Sequence, residues 1–205
     1  LWSNLNFRKL LLSGWLLETT RQFETLAIAV FIFERTGSAF FVAMMLFIQR
    51  TPLIPFGLVF GVIADRFNRK IIFILVFVSM SATAAILGSL AMQDRIQIWH
   101  IGVGVLINGI LWTTDFSVRR PMLAASVGDS QAGRAVAIDG AVLISAFAFG
   151  PVIGGGILQF VGLQGVYFFA ATAYLFGTIL AISTKYRRPI KVTKRPSFAS
   201  DFRTA

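Results

Sequence analysis

Six apolar blocks, each long enough to cross a lipid bilayer as a helix, constrain this chain more than any other feature. They fall at residues 10–33, 40–60, 71–92, 97–117, 135–160 and 166–183. A helix needs about 20 residues to traverse the hydrocarbon core. Inside the blocks the apolar residues follow neither a 3.6-residue nor a two-residue alternation, and a helix that is apolar all round must face lipid or other apolar helices. Composition agrees: 56% of the 205 residues are hydrophobic and 14% are charged, where a soluble domain carries about a quarter charged residues. The connections are short and contain no low-complexity tract. Residues 1–184 are therefore expected to form one all-α integral membrane bundle of six transmembrane helices, followed by a basic cytoplasmic segment at 185–205. The first block is too long for a cleavable signal peptide and contains Glu18, Arg21 and Glu24.

The net charge of +10 invites a nucleic-acid reading, but its distribution points to membrane topology instead. Arg8 and Lys9 precede the first block, and Arg66, Arg69 and Lys70 lie between the second and third. Arg119, Arg120 and Arg134 lie between the fourth and fifth, and seven basic residues from Lys185 to Arg203 follow the sixth. The loops on the other side hold Arg35 and Arg95. Such asymmetry places both termini in the cytoplasm, with the protein in the plasma (inner) membrane. There is no cysteine, so thiol chemistry is excluded.

The segment joining blocks two and three reads Gly61-Val-Ile-Ala-Asp65-Arg66-Phe-Asn68-Arg69-Lys70. Gly57 and Gly61, four apart, present a bare helix face suited to close backbone approach. Asp65 sits where the second helix reaches the cytoplasm. Asn68 is expected to take the positive φ of the turn, as the best non-glycine residue for it. At these residues the chain resembles the major facilitator superfamily, whose signature here is G-x-x-x-D-R-x-G-R-[KR], with Asn68 replacing the last glycine. The resemblance implies that Gly61, Asp65, Arg66, Asn68, Arg69 and Lys70 latch a cytoplasmic gate. It also implies that Asp65 pairs across helices with Arg119 or Arg120, or with a second half of the protein. In block five, Gly150-Pro151-Val-Ile-Gly154-Gly155 is similar to the superfamily's antiporter motif, which points toward export. By its residues alone it reads as small-residue packing around a proline kink. Ser117–Leu123, containing Arg119, Arg120 and Pro121, resembles the drug and siderophore efflux branch. The resemblance reaches only to that family's central loop, with residues 197–205 similar to the start of its cytoplasmic helix. The chain is thus expected to be the N-terminal half of a longer transporter, lacking its C-terminal half. Blocks two and five both carry proline and glycine, and blocks one and four both carry polar stripes, which fits a three-plus-three inverted repeat.

Charges at mid-membrane cost about 2.5–3.5 kcal/mol each on insertion scales, so they must face a partner or a cavity. Gly14, Glu18, Arg21, Gln22, Thr25 and Ala29 form one small-or-polar stripe on the first helix. Glu18–Arg21 and Arg21–Glu24 stand three apart, a spacing that lets them pair. These side chains read either as a structural ion pair or as a cavity wall that binds substrate or carries protons. Arg50, mid-span beside Gln49, Thr51, Pro52 and Pro55, is expected to face the same cavity and pair with an acid of the first helix, or to bind an anionic substrate group. Gly104, Asn108, Trp112, Asp115 and Arg119 form a stripe on the fourth helix. Asn108 and Trp112 are candidate cavity contacts, and Asp115 with Arg119 a gate pair. Asp139 reads as a gate or topology residue. His100 is assigned no role.

The leading functional expectation is a secondary active transporter that exports a small amphipathic molecule, drug- or siderophore-like, coupled to protons, with the substrate, protons and the lipid bilayer as partners. Glu18 or Glu24 would be the proton site. An importer of the same fold and a non-transporting six-helix module are the alternatives. An enzyme is not expected: no nucleophile stands with a base, no metal-ligand cluster is present, and no cofactor or phosphate-binding Gly-Lys loop is indicated.

Overall fold

A computed structural model describes residues 1–185. All but the first residue of the expected basic segment at 185–205, including the helix start expected at 197–205, lie outside the described residues. All regular structure among the described residues is helical. In chain order the helices are α1 (Leu5–Thr36), α2 (Ala39–Arg50), α3 (Leu53–Arg66), α4 (Arg69–Met92) and α5 (Ile98–Trp112), then a π-helical turn (Asp115–Arg119), α6 (Arg120–Val127) and α7 (Asp129–Ser183).

Local chemistry explains where these helices start and stop. The Asn4 side chain opens α1 by accepting hydrogen bonds from the backbone N–H groups of Asn6 and Phe7 at 3.0 and 3.2 Å. Gly37 closes it in the left-handed conformation, φ 62°, donating to Phe33 O at 2.8 Å. Pro52 and Pro55 lack backbone donors, and the second apolar block accordingly divides into α2 and α3 at Thr51-Pro52. Asn68 departs from expectation. Its φ is −71°, and its side chain accepts from Lys70 N at 3.0 Å, so it begins α4 as a cap instead of supplying a positive-φ turn. His100, assigned no role by the sequence, accepts the Gln97 backbone N–H on Nδ1 at 3.0 Å at the start of α5.

Among the described residues four stretches are long and apolar enough to cross a membrane: Ala39–Arg66, Arg69–Met92, Ile98–Val127 and Asp129–Ser183. With its 32 residues, α1 has the length but carries Glu18, Arg21 and Glu24 in its middle. A straight helix of 55 residues would run about 80 Å, far beyond a bilayer's thickness. At Gly162, however, α7 leaves helical geometry (φ 78°, ψ −173°), between the fifth and sixth apolar blocks. Only glycine adopts that backbone region readily.

The central packing is α1 against α7, with α4 lying on α7 and α2 on α5. Large apolar side chains point outward, including Phe47, Ile54, Leu58 and Phe160. So extensive an apolar exterior suits lipid or a protein partner and not water. Gly57 and Gly61 face open space, so the close approach expected at them is not made within the described residues. The close approaches occur in α7 instead: a Cβ on Gly150 would overlap Gln22, and one on Gly154 would overlap the Phe23 backbone of α1. Gly154→Val is therefore expected to force α1 and α7 apart at a cost of about 1–3 kcal/mol, measured as a lower Tm of the purified protein in detergent.

One end of the bundle collects the basic residues. Lys9 Nζ donates to Ser183 O at 2.9 Å and Lys70 Nζ to Ile182 O at 2.7 Å. Both lysines thereby cap the open carbonyls at the C-terminus of α7. Asn4 Nδ2 donates to Ser126 O at 2.6 Å at the same end.

Candidate functional site

Charged side chains of α1 feed two separate buried centres, with a third beside them toward the basic end. The first centre is built on Glu18. Its Oε2 accepts from Arg21 Nε at 3.3 Å and Nη2 at 3.1 Å, as the three-residue spacing requires, and its Oε1 accepts from the indole N–H of Trp112 at 2.5 Å. Glu18 and Arg21 are 3% and 2% exposed, so this ion pair lies outside the reach of water. The Arg21 guanidinium carbon lies 4.1 Å from the Trp112 ring centre, and that of Arg50 lies 5.2 Å from the same ring. An indole face attracts cations through its quadrupole. Arg50 thus reaches the α1 stripe as expected, but through Trp112, and it forms no ion pair with Glu18 or Glu24 among the described residues. Gln49, its neighbour, donates from Nε2 to Thr25 Oγ1 at 3.2 Å, tying α2 to α1. Asn108 Oδ1, one turn before Trp112 on α5, is buried without a hydrogen-bond partner.

The second centre holds Glu24, on a different face of α1. The spacing that suggested an Arg21–Glu24 pair is not used. Glu24 Oε2 accepts from the Tyr174 hydroxyl of α7 at 2.7 Å, while Oε1 is buried with no partner. Tyr167, seven residues before Tyr174 and so on the same helix face, buries its own hydroxyl unpaired. Sequence reasoning missed both tyrosines. Their two-turn spacing in an apolar block was the available signal.

The third centre is Arg119, 2% exposed, clamped between two carboxylates. Its Nη2 donates to Asp115 Oδ2 at 3.1 Å and its Nε to Asp115 Oδ1. Nη1 and Nη2 reach Asp139 Oδ1 and Oδ2 at 2.7 and 3.0 Å. Nη1 also approaches Leu10 O at 3.5 Å, and a Cβ on Gly14 would overlap the guanidinium, so the glycine in the α1 stripe makes room for it. Arg120 Nε stands 3.4 and 3.5 Å from Asp115 Oδ2 and Asp139 Oδ2. Two acids and two arginines leave the group formally neutral. The π-helical turn carries Asp115 and Arg119; such single-turn wide segments occur most often at functional sites.

Where the family resemblance pointed Arg119 and Arg120 at Asp65, the structure gives them Asp115 and Asp139. Asp65 accepts from Arg69 Nη2 at 3.0 Å, four residues on, at an exposed position. Its loop still adjoins the third centre, because α3 packs against the π-helical turn. Gln22 and Phe23 touch Gly150 and Gly154, so the Gly-Pro-x-x-Gly-Gly segment seats on the edge of the α1 stripe at Gln22. Among the described residues no cluster of histidine or acidic side chains could hold a metal.

A family model described as Major Facilitator Superfamily matches residues 10–204. No curated protein matches the sequence significantly.

Proposed function

Because the chain belongs to the Major Facilitator Superfamily, a family of membrane transporters, we propose that it serves as a secondary active exporter. On this reading it moves a small amphipathic molecule, of drug or siderophore-like character, against an inward flow of protons. The observation that carries this beyond the family is the Glu18–Arg21–Trp112–Arg50 constellation. Charged groups held within membrane spans are expensive and belong at substrate or proton paths. Glu18 or Glu24 takes up the proton. Arg21, Gln22, Thr25, Asn108 and Trp112 contribute to the wall against which the substrate binds.

The helices group into six crossings: α1; α2 with α3; α4; α5 with α6; and α7 before and after Gly162. The first three and last three form the two arms of an inverted repeat. The basic end faces the cytoplasm of the plasma (inner) membrane. There the Asp115–Arg119–Asp139 clamp and the Gly61–Lys70 loop close the gate. A second six-helix half, as the family resemblance implies, rocks against this one and covers the open α2–α3 face. Gly150 and Gly154 pack against Gln22 and Phe23 of α1, and on this reading the segment with Gly150, Pro151, Gly154 and Gly155 serves as the export motif.

Flux measured in everted and right-side-out vesicles carrying the natural gene product tests direction and coupling together. Accumulation of a fluorescent amphipath inside acid-loaded everted vesicles, abolished by a protonophore, is expected. Uptake confined to right-side-out vesicles would make the protein an importer. An absence of protein-dependent movement of anionic, neutral and cationic amphipaths alike would leave a non-transporting module.

A further inference from the structure

We infer that the exported molecule carries a negative charge and docks it on Arg50, an inference that rests on the transporter reading above. Every other charged group described in the middle of the bundle has a polar partner within it. Glu18 holds Arg21, Glu24 holds the Tyr174 hydroxyl, and Asp115 and Asp139 hold Arg119 and flank Arg120. Arg50 closes α2 near the middle of the Ala39–Arg66 span, has an exposed side chain and forms no ion pair among the described residues.

The charge around Trp112 does not balance. Arg21 and Arg50 bring two positive charges to one indole ring, at 4.1 and 5.2 Å, and Glu18 supplies one negative charge. With one Glu18 oxygen held by Arg21 and the other by the indole N–H, Glu18 forms no ion pair with Arg50. Arg50 is thus the guanidinium left without a bonded carboxylate among the described residues, and its fork matches a carboxylate, a phosphate or a paired phenolate oxygen. A cation left unpaired in a membrane span gains most from an anion brought to it.

The surroundings suit an amphipathic anion. Ile48 and Thr51, on either side of Arg50 in the chain, help to wall an apolar cleft of about 990 Å³ between α2, the end of α1 and the start of α5, a volume within the range of small-molecule sites; Arg50 is next to these residues in α2 but is not itself part of the lining. On α5, Asn108 Oδ1 shares the Trp112 face and is buried without a donor, so it can accept a hydroxyl or amide N–H from the ligand.

Equilibrium binding to the purified natural gene product in detergent, with no gradient, tests the assignment. Three probes share one apolar body and differ in charge: 2-naphthoate, 2-naphthamide and 2-naphthylmethylammonium. The wild-type protein is expected to bind the carboxylate at least about tenfold more tightly than the amide, and the ammonium most weakly. Arg50→Gln should erase that preference, Arg50→Lys should keep part of it, and Arg50→Glu should turn it toward the ammonium. Because the side chain is exposed, these variants should fold, as an unchanged Tm would verify. Equal binding of all three probes by the wild type, including no binding of any, overturns the inference. So does a preference for the carboxylate that survives Arg50→Gln. Anion preference that depends on Arg50 in a protein that moves nothing across vesicles would instead sink the transporter reading and leave an anion-binding site.

Discussion

Arg119→Ala should destabilise the folded protein by about 3–5 kcal/mol, the usual result of removing one partner from a buried ion pair. The substitution leaves Asp115 of the π-helical turn and Asp139 of α7, each 3% exposed, facing one another with Arg120 alongside. It also empties the space that Gly14 keeps open in α1. Arg119→Lys should recover little, because one ammonium cannot span both carboxylates as the planar guanidinium does. The double replacement Asp115→Asn with Asp139→Asn in the Arg119→Ala background removes the two orphaned charges and should restore part of the loss. Thermal unfolding in detergent measures all four proteins. If Arg119→Ala unfolds with the wild type, the clamp contributes nothing to stability.

Glu18→Gln should reduce pH-driven transport by at least about tenfold, equivalent to about 1.4 kcal/mol, and also lower Tm, because buried Arg21 loses its carboxylate. The amide keeps an oxygen for the Trp112 indole N–H, so the α1–α5 contact survives. It withdraws the only carboxylate paired with Arg21 among the described residues, and that change removes a charge-assisted contact normally worth about 1.5–3 kcal/mol. Two arginines then share one ring with no negative charge between them. A structural role alone would leave the remaining flux as dependent on the pH gradient as in the wild type, whereas a proton carrier's loss uncouples it; Glu18→Asp, which keeps the charge, should regain part of the coupled flux. Full pH-driven transport by Glu18→Gln would exclude Glu18 as the proton carrier and leave Glu24.

The helical, membrane-embedded nature of the chain was legible because uninterrupted apolar length is a property of the sequence itself. The gap between the fifth and sixth blocks was legible for the same reason, and the chain breaks there at Gly162. Pairings fixed by helical spacing were partly legible. Glu18 with Arg21 and Asp115 with Arg119 follow from separations of three and four residues. Spacing failed where a distant helix offered a better partner: Glu24 stands three residues from Arg21 but bonds Tyr174, 150 residues away. Arg119 likewise takes Asp139 in addition to its own-helix acid. Such choices depend on how α1, α5 and α7 are set against one another, which no local pattern encodes. Arg50 shows the same limit, since its contact is an aromatic face and not the acid that charge alone would select. Asn68 was misjudged for another reason. A short amide side chain serves a left-handed turn or a helix N-terminus equally well, and the helix that follows it decided the outcome.

Proton movement coupled to a substrate tests the central claim most directly. The natural gene product would be placed in everted vesicles with an acid interior, and a pH-sensitive dye would be followed as amphipathic anions are added one at a time. The account expects at least one anion to draw protons out of the vesicles with the wild-type protein, and none to do so with Glu18→Gln or Arg50→Gln. A wild-type protein that never alters the gradient, or variants that alter it as the wild type does, would contradict the account.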